Sequence, residues 1–191
     1  DMLLVEEAGD GRRLRLSPAP RWTFLDPFDP LSPVAAFEPA GGHGFDAEIG
    51  LGRAGAGMFL GAANLWIAAE MLGAAERAGE LAVAHAGQRR QFGQLIGAYQ
   101  GVKHRIVDDY VLRQNAAAIL MRATAAWDAD ADDRVMLAHA ARVAAGEAAA
   151  STCAYCIQVH GGMGFSWEHE AHLYYKRVRR LVNLLGSAAG S

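Results

Sequence analysis

The sequence predicts a mainly α chain, a C-terminal four-helix bundle preceded by the remnant of a β-domain. Three features carry this expectation. From about Arg53 onward, apolar residues recur at helical spacing, with Leu60, Leu65, Ile67, Met71, Leu72 and Leu81 suited to one buried stripe. Two further helical runs approach thirty residues each and are joined by short connections, as antiparallel bundle helices are. The first fifty residues lack this periodicity and are punctuated by proline and glycine. The expected division is 1–50, the truncated end of a β-rich domain, and 51–191, the helical bundle.

Each element has a local reason. "MLLVEE" and "RRLRLS" are apolar or alternating runs separated by "AGDG", which predicts a β-hairpin. The prolines of "PAPRWTFLDPFDPLSP" exclude a helix, and "VAAFEP" reads as one further strand. The first long helix follows and is interrupted at Gly87 and "FGQLIG". A second is expected over 99–127, closed by "DADADD", with Asp132 or Asp133 as the next N-cap. A third runs over 133–160, where "GGMG" stops it. The fourth starts near Ser166, with Glu168 to Glu170 in an acidic first turn, and ends near Gly186 after a basic last turn.

Composition bounds the function. A chain of 191 residues with a net charge of −3 holds one domain, or one and part of another, and offers no basic excess to nucleic acid or anionic lipid. No uninterrupted run of about 18 apolar residues suggests a membrane span, and no signal peptide is visible. The start at Asp1 reads as a fragment or a trimmed product. Cys153 and Cys156 are too few for a disulfide framework and fit a reducing, cytoplasmic setting.

Three motifs are weaker than they look. "GLGRAG" matches the dinucleotide pattern G-x-G-x-x-G, but no parallel strand follows its helix, so it reads as a linker. "CAYC" lies inside a helix with no second pair, and His160 supplies only a third ligand, so the cysteines read as buried filler. "HEAH" spaces its histidines three apart, one short of the zincin motif, and reads as a solvated first turn. No metal site is expected.

Two separated stretches, together with the helix leading into the first, resemble the C-terminal half of acyl-CoA dehydrogenases. "RRQFGQLIGAYQGVKHRIVDDY" (89–110) is similar to that family's Arg-x-x-Phe-Gly segment, and "QVHGGMGFSWEHEAHLYYKR" (158–177) to its Gln-x-x-Gly-Gly-x-Gly-Phe segment. "AAEMLGAAERAGELAV" leads into Arg89 at the family's spacing, and the strand-rich start suits the end of its middle β-domain. The resemblance implies an FAD-dependent α,β-desaturation of an acyl-CoA thioester. It implies that the C-terminal bundle of one protomer grips the ADP part of FAD held by its neighbour. Arg89, Phe92, Gln158, Gly161 and Gly162 fall on the contacting positions. Their chemistry agrees: a guanidinium fork for pyrophosphate, a ring for adenine, an amide, and glycines, Gly164 with them, that admit close backbone approach. A homo- or heterotetramer with other acyl-CoA dehydrogenase subunits, and an electron-accepting flavoprotein, are the implied partners.

The chain departs from the family where the catalytic glutamate belongs. Most members carry it at the position of Leu185, a minority at that of Ala63, and neither residue here accepts a proton. Asn64 stands where many members carry arginine, and Glu70 lies nearly two turns beyond on the first helix. The "HEAHLYYKR…LLG" ending looks like bacterial members that assemble as α2β2 heterotetramers. The alternatives are therefore a non-catalytic partner subunit of a heteromeric dehydrogenase, or a related flavin monooxygenase or oxidase that needs no such base.

Overall fold

The structure is a computed structural model, and it describes residues 2–8, 11–17, 21–38, 47–50 and 52–185. The chain divides into two compact units, Asp1–Ala62 and Ala63–Ser191. In the first, β1 (Met2–Ala8) and β2 (Gly11–Ser17) pair antiparallel with Ala8 opposite Gly11, the expected hairpin, whose tip at 9–10 lies outside the described residues. β5 (Ala47–Gly50) adds antiparallel to β2, while β3 (Arg21–Leu25) and β4 (Val34–Glu38) form a separate pair. All these pairings are antiparallel. The glycines around residue 50 therefore join β5 to a helix without a β-α-β unit, and Gly52 turns the chain with a φ of 60°.

The helices are α1 (Gly52–Gln88), α2 (Gln100–Asp128), α3 (Arg134–His160) and α4 (Ala171–Asn183). The first three match the periodicity, with Asp133 the residue before α3. A small hairpin, β6 (Arg90–Gln91) and β7 (Gln94–Leu95), and a 3-10 turn at Ile96–Ala98 separate α1 from α2. α2 packs on α3 and α3 on α4. The core is built more from alanine than from the expected leucine stripe. Ala68, Ala75 and Ala78 of α1 and Ala141, Ala145 and Ala149 of α3 are fully buried, whereas Leu65, Leu72 and Leu81 are only partly so. Side chains this small bring helix axes together and bury little area each, so packing density supplies much of the cohesion. α1 is long and apolar enough to cross a membrane by length and composition. Its Ala68, Met71, Ala75 and Ala78 nevertheless line this bundle core at helical spacing.

The fourth helix corrects the sequence reading. It starts at Ala171, five residues after Ser166, and its first turn holds no acid. The intervening residues are committed elsewhere. Glu170 accepts from Arg77 of α1 (2.9 Å) and from the Tyr174 hydroxyl (2.8 Å), while Trp167 carries the Lys176 ammonium over its ring. The "HEAH" histidines also diverge. His169 accepts the Ala171 N–H at Nδ1 (3.1 Å), while His172 is buried edge-on against Trp167, so the solvated turn expected there does not hold for His172. Gly186, the expected end of the helix, lies outside the described residues.

Candidate cofactor-binding site

The hairpin after α1 is where the chain exposes its most conspicuous side chain. Gln91 pairs with Gln94, which leaves Phe92 and Gly93 as a two-residue connection with φ of 49° and 84°. Left-handed φ at both positions is what a type I′ hairpin turn requires, and it favours Asn-Gly or Gly-Gly. A phenylalanine there is held in a conformation that bulky residues avoid, at a cost of about 1–2 kcal/mol. Its ring recovers little packing from the described residues, because Phe92 is 93% exposed. Tyr99 clasps the hairpin from the start of α2, its hydroxyl donating to the Gln91 carbonyl at 3.1 Å.

Phe92 overhangs a cleft of about 370 Å³, whose lining includes Gln91, Tyr99, Val102, Tyr155, Gln158 and Val159. The sequence-predicted Phe92 and Gln158, 66 residues apart, thus share one concavity. Its walls are aromatic and aliphatic with a few amides and hydroxyls, a surface suited to a planar heterocycle. Tyr155 in its lining has the Arg105 guanidinium over the ring and its hydroxyl toward the Val102 carbonyl.

Arg89 follows the last helical residue of α1, its N–H bonded to the His85 carbonyl (2.9 Å) and its side chain exposed. Gly161 caps α3 with a φ of 63°, where only glycine is unstrained, and a Cβ at Gly161 or Gly162 would meet nothing within 4 Å. Gly164 is different. A Cβ there would lie 2.6 Å from the Ile157 carbonyl oxygen, so this third glycine serves packing within the chain. The ends of α1 and α3 meet through His85, which the sequence did not single out, and His160, which it weighed only as a metal ligand: the two rings stack with centroids 4.2 Å apart. Burial lowers the proton affinity of His85, helped by His160 and Arg89. Burial likewise lowers that of His160, partly offset by its bond to the Cys156 carbonyl.

One guanidinium links the neighbours of Ala63 and Leu185, the two positions at which the resemblance implies a base. Arg142 of α3 donates through Nη1 to Asn64 Oδ1 (3.0 Å) and through Nη2 to the carbonyls of Val182 (3.3 Å) and Leu184. Asn64 is buried and also bonds His139 Nδ1 (3.0 Å). Residues adjacent to Ala63 and Leu185 therefore touch the same side chain, and Arg142 ties the end of α4 to α1. Burial lowers the Arg142 pKa. Leu185 follows with a φ of 66° and is partly exposed. Glu70 is paired with Arg177 of α4. Cys153 and Cys156 are fully buried, with thiols pushed up to about 12 and about 11, which leaves them protonated and unreactive. Among the described residues no group of three or more His, Cys, Asp or Glu could hold a metal ion.

Residues 49–189 match the family model of the C-terminal domain of acyl-CoA dehydrogenases. The acyl-CoA dehydrogenase IpdE2 of Mycobacterium tuberculosis (strain ATCC 25618 / H37Rv) is 42% identical over 125 residues, which is 65% of this chain and 37% of that protein. FadE34 of the same organism is 41% identical over 125 residues, 64% of this chain and 17% of that protein. Among solved structures, the ChsE4-ChsE5 complex from Mycobacterium tuberculosis is similar at a TM-score of 0.81 and 28% identity, covering 98% of this chain and 52% of that one. Butyryl-CoA dehydrogenase from Megasphaera elsdenii shares the fold at a TM-score of 0.81 and 20% identity, covering 94% of this chain and 49% of that one. The chain thus spans little more than a third of IpdE2 and about half of these structures. With the family model matched over most of its length, the chain belongs to the acyl-CoA dehydrogenase family.

Proposed function

We propose that this chain is part of a flavin-dependent acyl-CoA dehydrogenase and that its bundle completes an FAD site across a subunit interface. The observation that carries the reading is Phe92, strained, exposed, and overhanging a cleft shared with Gln158. A bound adenine would give that ring a partner. Arg89 and the open backbone at Gly161 and Gly162 would hold the diphosphate, by charge and by N–H donors respectively. Family members are flavoproteins, and when bound the cofactor supplies hydride acceptance from the acyl β-carbon. This chain's residues bind and orient. None of those described at the family's two base positions can take the α-proton.

The direct test is Arg89→Ala in the assembled complex. Losing a charged hydrogen bond of about 1.5–3 kcal/mol should weaken flavin binding at least tenfold. Unchanged flavin content would overturn the reading.

A second reading has its own observation. With Leu185 at one base position, Ala63 at the other, and the neighbouring Asn64 engaged by Arg142, the chain suits a subunit that supports a catalytic partner. The similarity to the ChsE4-ChsE5 complex supports a heteromeric assembly of this kind. The free thiols suit a reducing, cytoplasmic compartment.

A further inference from the structure

The two segments assigned to the diphosphate are joined by a ladder of three histidines. His85 comes from the last turn of α1, His160 ends α3, and His169 precedes α4. The centroids of His85 and His160, and of His160 and His169, are each 4.2 Å apart, with the rings tilted by 37° and 46°. His85 lies one turn before Arg89, and His160 directly precedes Gly161.

We propose that this histidine stack is the proton-linked part of the cofactor cradle. When a dinucleotide diphosphate binds at Arg89 and the backbone of Gly161 and Gly162, the stack takes up a proton, so cofactor affinity rises as pH falls through the histidine range. The inference rests on the cofactor reading above and adds His85 and His160 to its residues.

The argument is a charge inventory. His85 faces Arg89, His160 and His169. His160 donates from Nδ1 to the Cys156 carbonyl (2.7 Å), with the Cys156 thiol 3.8 Å away and His169 over its ring. His169 accepts the Ala171 N–H, and beside it Glu170 is already matched by Arg77 and Tyr174. Arg89 is therefore the cationic neighbour of this group, and protonating the stack adds like charge. Burial is the main cause of the lowered proton affinity of both His85 and His160, and like charge from Arg89 adds to it at His85. A diphosphate carrying two negative charges at Arg89 reverses the local balance and favours an imidazolium. Rings this close do not readily share two protons, so the uptake is at most about one proton. The diphosphate is fully ionised across this range, so the proton is the protein's.

The sign follows from linkage. If the liganded histidine pKa exceeds the free one, the complex binds more protons between the two values, and binding tightens as pH falls through that window. The measurement is calorimetric titration of FAD into the deflavinated, assembled complex at about pH 6.5, near the ordinary histidine pKa, in two buffers of different ionisation enthalpy. Net proton uptake is expected, with affinity changing by up to about tenfold per pH unit. His85→Gln and His160→Gln should each remove most of the uptake. Zero uptake, or uptake that survives both substitutions, overturns the proposal. Should either variant fold poorly, ring-carbon NMR of the wild-type histidines with and without FAD gives the same answer: pKa values that rise on binding support it, and unchanged values overturn it. Arg89→Ala separates the levels. If it leaves FAD binding intact, the cofactor reading falls and this proposal with it. If it abolishes binding while the histidine variants keep the uptake, only the proton linkage falls.

Discussion

Phe92 shows how a single residue can point outward from its own chain. Its left-handed φ and its exposure both cost stability, and the described residues bury too little of the ring to offset either. Strain of this kind gathers at functional sites, and here it yields a trade-off. Phe92→Asn places Asn-Gly in a turn that prefers it, so flavin-free protein should gain about 0.5–1 kcal/mol and unfold a few degrees higher. The same variant should hold flavin less tightly, since the ring over the cleft is gone. A rise in melting temperature with undiminished flavin content would show that the ring has no cofactor role. At this scale the sequence was partly legible. Phe92 and Gln158 were reached through paired motifs, and the fold places them in one cleft. Arg142 was not reached. It meets Asn64 from 78 residues away, and no local pattern marks an arginine whose acceptors include an amide oxygen on α1 and two carbonyls at the end of α4.

Among the elements, the turn between α3 and α4 separates two glycines that the fold requires from one with open space around it. Gly161 is required by its φ and Gly164 by the Ile157 carbonyl, but among the described residues nothing lies within 4 Å of a Cβ at Gly162. Gly164→Ala should therefore destabilise by about 1–3 kcal/mol through overpacking against backbone that cannot yield. Gly162→Ala should stay within about 0.5 kcal/mol of wild type, as an exposed substitution does, yet lower flavin occupancy if a diphosphate approaches its backbone. Paired thermal unfolding and flavin absorbance decide the matter, and a Gly162→Ala protein with full flavin content would remove this turn from the cradle. The helix boundaries show what local sequence can carry. α1, α2 and α3 are legible because helical periodicity is a local property. The start of α4 is not. The acids that resemble a first turn include Glu170, whose partner Arg77 lies 93 residues earlier, so tertiary pairing decides where that helix begins.

For the whole molecule, what the chain lacks is as informative as what it holds. It spans 37% of the length of IpdE2, and the resemblance puts Ala63 and Leu185 at the family's two base positions. Proton abstraction needs a group within hydrogen-bond reach of the α-carbon proton, and a methyl or isobutyl side chain offers none. The nearby polar groups are already engaged: Asn64 with Arg142 and His139, and Glu70 with Arg177. Flavin chemistry in any site relying on this chain's own base positions should therefore stop at binding. The test is anaerobic addition of an acyl-CoA panel to the flavin-loaded protein, prepared with and without a second family subunit that carries the glutamate. Bleaching of the flavin absorbance only in the presence of that subunit is expected, and substitution of the partner's glutamate should abolish it. Bleaching by this polypeptide alone would mean that a base from elsewhere in its fold reaches the substrate, and the non-catalytic reading would be abandoned.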